Sequence, residues 1–240
     1  MSNPADSLHT ILSRSKENTL QNKNMMQGWR QVLKLPEDTD DLIVMNKVGK
    51  VFTLPFIIST HIQRFADLPA DLYLGWRKDL AAAFRYVNFN ANFQDFGNRL
   101  SDSLLINIRF CAHELQKRMP EKSVSPEDLQ SLRELAWTLY QEVLGFELPP
   151  NLGRYLLNYL FLIIEAIDDY EITGAAGMER SFNAVIGAVV TDTPTTKAAN
   201  ESTFGSRFWS VVTKVGVALK IAKTATELAE GVQKLLPHGE

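Results

Sequence analysis

Apolar residues recur along this chain at spacings of three and four, and strict alternation never persists beyond four or five residues. Spacings of three and four line one face of an α-helix, whereas alternation would mark a half-buried strand. The pattern predicts an all-α protein: a bundle of about eight or nine helices, followed by a tethered amphipathic helix at the C-terminus. Asn3-Pro4 supplies a cap and a first-turn proline, opening a helix with Leu8, Ile11 and Leu12 on one side. A second segment, about 22–35, aligns Met25, Met26, Trp29, Val32 and Leu33 before Pro36 stops it. Thr39 or Asp40 can cap the next, in which Leu42, Met45, Val48 and Phe52 share a face. Pro55 is expected to break that run, with a short helix continuing to about Phe65.

Leu72, Trp76, Leu80, Ala83, Phe84 and Val87 form the next stripe, and a long helix is expected from Asn90 through Leu115. Ser125-Pro126-Glu127-Asp128 reads as a capped start, and Gly145 as a left-handed stop. The most hydrophobic helix spans Leu152 to about Tyr170, with "YEITG" closing it, and 175–190 makes one more. The openings "DLPADL" and "ELPPNL", eighty residues apart, are alike either as a duplicated hairpin or because acidic-Leu-Pro is good helix-start chemistry, the simpler reading.

Composition changes sharply at "TDTPTTKAANEST", which is rich in threonine and has no large apolar residue. The expected organisation is a helical body over 1–190, a flexible linker over 191–204, and a C-terminal helix over 205–237. In that last segment Phe208, Val211, Val215, Ala218, Ala222, Ala225, Ala229, Val232 and Leu236 repeat at 3-4-3-4 spacing, an unbroken heptad seam. Val212, Leu219, Leu228 and Leu235 widen it, Phe208 and Trp209 stand at its entrance, and Lys214, Lys220 and Lys223 lie off it. Such a helix is built to bury one face against its own body, a protein partner or second copy, or an anionic membrane surface.

Charge and cysteine content narrow the classes. A net charge of −3 gives no pull toward nucleic acid. The lone cysteine, Cys111, cannot form an intramolecular disulfide and suits a reducing compartment. The N-terminus has no apolar core of the signal-peptide kind, and the strongest apolar run, Tyr155–Ile167, is shorter than the roughly 20 residues a membrane span needs. A cytoplasmic protein, peripheral to a membrane at most, is expected.

Candidate chemistry is sparse. Cys111, His113 and Glu114 cluster in "CAHE", but residues two apart on a helix point away from each other and cannot share a metal. Arg109 and His113 lie one turn apart. Glu165, Asp168 and Asp169 can converge, as a Mg²⁺ site or an acid–base pair would require, yet no matching second pair exists on another helix. A structural ion pair to Arg154, Arg180 or another basic side chain is the simpler expectation. Nucleophile-elbow, Walker and dinucleotide motifs are absent. Neither a cofactor nor a metal is expected. The function expected is a non-enzymatic interaction protein of adaptor or scaffold kind, docking or self-associating through its C-terminal helix.

Overall fold

The computed structural model describes residues 3–17, 20, 22–120 and 122–221. Among them the chain is all-α, with twelve helices and a lone β-bridge between Asn24 and Asn92. They form two compact units, one within residues 1–121 and one within 122–240, where the composition had suggested a continuous body to 190.

The first unit holds α1 (Pro4–Arg14), α2 (Met25–Val32), α3 (Asp41–Ile62), α4 (Ala70–Leu74), α5 (Arg77–Phe84), α6 (Phe93–Gly97) and α7 (Asp102–Arg118). Local chemistry starts α1 and α2. The Asn3 Oδ1 accepts from the backbone N–H of Ala5 and Asp6, both at 3.0 Å, and Asn24 and Gln27 form a capping box. Leu8, Ile11 and Leu12 then bury α1 against α3 and α7. Trp29 of α2 meets Phe93 edge-on at 5.6 Å and Phe96 at 5.4 Å. Gly28 is fixed by the same cluster, since a Cβ there would lie 2.1 Å from the Phe93 ring.

Three expectations change in this unit. The helix expected to stop at Pro55 runs through it, because Val51, Leu54 and Ile58 are buried on both sides of the proline and hold the helix together. The stripe from Leu72 divides at Gly75 into α4 and α5. The long helix from Asn90 divides into α6 and α7, because Ser101 caps a new start by accepting from the Leu104 N–H at 3.2 Å.

The second unit holds α8 (Pro126–Leu144), α9 (Pro150–Asp168), α10 (Tyr170–Thr191), α11 (Thr193–Glu201) and α12 (Gly205–Ala218). Ser125 caps α8 through the Asp128 N–H at 3.0 Å. Gly145 ends α8 with ordinary right-handed angles, not as a left-handed residue. Positive φ falls instead on Gly174, which kinks α10 at φ 60° and ψ −162°, a region open essentially to glycine. α8 packs on α9, α9 on α10, and α12 on α8 and α10, around a core that includes Leu139, Leu156, Leu160, Met178, Val185 and Phe208.

The polar stretch expected to be a linker is largely α11. Asp192 caps it, Ala199 is buried, and the buried Thr196 hydroxyl lies 3.1 Å from the Tyr155 hydroxyl. Threonine reads as solvated in a composition count, but a buried partner for its hydroxyl makes it a core residue.

Candidate functional site

The described residues expected to meet a partner lie on α12 and in the two residues that follow it. Phe208, Val211, Val215 and Leu219 are fully buried in the second unit's own core. Trp209 packs edge-on against Phe208 at 5.1 Å and donates its indole N–H to Asn200 of α11. Arg207 pairs with Glu142 of α8. In this fold the apolar seam of α12 therefore serves the interior, Ala218 is half-buried, and Lys214 and Lys220 face solvent. Ala222, Lys223, Ala225, Ala229 and Val232 lie outside the described residues.

The expected single helix over 205–237 is interrupted. Lys220 adopts φ 53°, its N–H donates to the Val217 carbonyl at 2.8 Å, and the Ile221 N–H donates to the Gly216 carbonyl at 2.9 Å. That pair of bonds is a Schellman stop, normally built on glycine. Lys122 secures it by donating to the Lys220 carbonyl at 3.2 Å.

The candidate chemical groups do not assemble into a reaction centre. Asp168 is held by Arg133 through Nε–Oδ1 at 2.5 Å and Nη2–Oδ2 at 3.2 Å, and that bond raises the guanidinium pKa. Asp169 is buried, and no group of three His, Cys, Asp or Glu side chains among the described residues could hold a metal ion. Arg109 and His113 are both solvent-facing. Cys111 is a core residue: its Sγ donates to the Tyr73 carbonyl at 3.1 Å, it accepts from the Trp76 indole at 3.4 Å, and burial pushes its thiol pKa up. A raised pKa keeps the thiol protonated and unreactive. A polar cleft of about 540 Å³ is lined by Lys23, Gln27, Arg30, Lys34 and Glu37 among others, with no serine, threonine or cysteine, and its Arg30 is engaged by the Thr39 carbonyl and Asp41.

The surface that the sequence reading missed is on α3. Val44, Val48, Val51, Leu54, Ile58 and Ile62 turn inward. On the opposite side Leu42 and Phe56 are 74% and 70% exposed, and Met45 and Phe52 are 38% exposed. A Cβ at Gly49 would meet nothing within 4 Å. Leu42, Met45, Gly49, Phe52 and Phe56 follow 3-4-3-4 spacing, so they form a narrow seam along the outer face. Phe84 of α5 extends it, its ring centroid 4.4 Å from that of Phe52. The sequence put Leu42, Met45, Val48 and Phe52 on one face; Val48 instead turns into the core, the other three are exposed, and the expected break at Pro55 hid Phe56 from the set. α8 also exposes Trp137 and Leu144, though Tyr140 stacks on that Trp137 at 5.6 Å.

An all-α protein with an apolar seam along one outer helix belongs to no reaction class by its architecture. A search for relatives gives no matching family model, no matching characterised protein and no matching solved structure.

Proposed function

We propose that this chain is a non-enzymatic helical interaction protein, and that its working surface is the outer seam of α3. The observation that carries the reading is the exposure of Leu42, Met45, Phe52 and Phe56 at heptad spacing around the open Gly49. Contiguous exposed apolar residues on one helix face mark a contact surface far more than scattered ones do. Covering four side chains that are already partly buried is worth about 4–8 kcal/mol gross. Association costs about 4–15 kcal/mol in lost freedom. The α3 seam alone therefore supports weak, reversible binding, suited to an adaptor or scaffold.

The test is site-specific photo-cross-linking from position 56 of the full chain in cells. Adducts that are absent from the exposed position 78 and that disappear with Phe52→Asp support the reading. No adduct from position 56 above that background removes it.

The tail remains part of the proposal. Beyond Ile221 the sequence continues the heptad spacing through Ala222, Ala225, Ala229 and Val232, giving a second candidate contact for a protein partner. An anionic lipid surface is the alternative occupant. α3 is long and apolar enough to cross a membrane by length and composition, with mean hydropathy 1.5, but 39% of that window is buried in the fold. Flotation of the full chain with anionic vesicles at low salt favours lipid, and sedimentation without vesicles removes it.

A further inference from the structure

We propose that the α3 seam is covered by the same seam of a second copy of this chain, running antiparallel; this rests on the interaction reading above and names its partner. Shape gives the first argument. Along the seam the side chains run Leu42, Met45, Gly49, Phe52, Phe56, with bulk at both ends and a gap inside. Among the described residues no atom lies within 4 Å of where a Cβ at Gly49 would sit, and its backbone is not in the left-handed region, so nothing described there requires a glycine. Glycine in a helix interior is otherwise unfavourable. An antiparallel register can set Gly49 of one copy against Phe52 of the other, and Met45 against Phe56. Each ring then enters a space kept open for it, and a thioether meets an aromatic edge. A parallel pairing would stack glycine on glycine and phenylalanine on phenylalanine, leaving a void at one layer and crowding at another.

Charge gives the second argument and points the same way. Glu37, Asp38 and Asp40 precede α3, whereas Arg64 follows its end. The antiparallel register that seats Phe52 on Gly49 brings the exposed Glu37, Asp38 and Asp40 of one copy toward the exposed Arg64 of the other. Parallel pairing would gather the carboxylates of both copies at one end. The helix dipoles also favour opposite directions.

Sedimentation equilibrium of the full chain tests this. The average mass is expected to rise with concentration from 27.0 kDa toward twice that value. Phe56→Asp and Leu42→Asp, both at exposed positions, are expected to weaken association by about tenfold or more, because each would bury an unpaired carboxylate. Arg64→Glu is expected to weaken it about threefold, and adding Glu37→Arg to that variant to restore it. A mass of 27.0 kDa at every concentration, or association indifferent to both aspartate variants, overturns self-pairing. Failure of the charge exchange to restore association overturns the antiparallel arrangement. A chain that stays monomeric yet still forms position-56 adducts with another protein overturns this inference and leaves the interaction reading standing. Absence of both removes both.

Discussion

Lys34 and Lys220 are the two non-glycine residues with positive φ among those described, at 54° and 53°. Both end helices in the same way. The Lys34 N–H donates to the Gln31 carbonyl at 3.1 Å and the Leu35 N–H to the Arg30 carbonyl at 2.8 Å, repeating the Schellman pattern at Lys220. A lysine in that conformation carries a cost of about 1–2 kcal/mol, whereas glycine there is strain-free but loses more chain entropy on folding, about 0.5–1 kcal/mol. Lys34→Gly is therefore expected to stabilise the protein by about 0.5–1 kcal/mol, read from the midpoint of urea denaturation. Burial lowers the pKa of His9 and of His61, helped by Arg109 and Arg64 respectively. The unfolded chain binds the extra protons near pH 6.5, so it gains protons over the folded state as the pH falls. Stability from these groups is full above about 6.5 and is lost as pH drops through the lowered folded values. The melting temperature is expected to fall between about pH 7 and 5, and His9→Gln with His61→Gln to flatten that slope. Asp67, Asp102 and Glu142 titrate lower, because bonds from Arg118, Lys16 and Arg207 hold each carboxyl below its usual range.

At the scale of the element, α12 takes one of the covers its sequence allowed, its own unit, whereas α3 keeps an exposed apolar face. Both carry apolar residues at heptad spacing, and periodicity establishes only that such a face is to be covered. For α12 the cover is α8, α10 and α11 of its own unit. Phe208→Ala is thus expected to destabilise the second unit by about 3–5 kcal/mol, as for a ring removed from a packed core. Arg207→Ala, which breaks a half-exposed pair to Glu142, is expected to cost less than about 1 kcal/mol. Thermal unfolding of the two variants checks the contrast, and equal small effects would mean that α12 is not a core helix. In α3, by contrast, the inner face is spent on the core of the first unit, and the outer seam is left over. Its legibility failed at one residue. Pro55 lacks an N–H and usually stops a helix, yet packed neighbours on either side outweigh one missing bond.

For the whole molecule, the division near residue 121 gives two units of about 120 residues, each within the usual range for an independently folding domain. Fragments 1–121 and 122–240 are each expected to retain helical circular dichroism and to unfold cooperatively. A fragment that is unstructured alone would show that its core depends on the other half. The sequence reading did not place the division at residues 117–128, although "KRMPEKSVSPED" is polar and carries two prolines; it placed it at the threonine-rich 191–204, which is largely helical.

The chain's own pattern determined that it would be all-α, where α1 and α8 begin, and that Leu8, Ile11 and Leu12 face inward along α1. Those properties follow from spacing and from caps such as Asn3 and Ser125, which act within a few residues. Only the tertiary structure decided that α3 survives Pro55, that Thr196 is buried against Tyr155, that Lys220 stops α12, and that an exposed apolar seam lies on α3 while that of α12 is covered. Each of these depends on what a distant segment supplies: a packed neighbour, a hydroxyl, or nothing at all. A periodic apolar face records the need for cover, and the source of that cover is set by contacts between residues far apart in the chain.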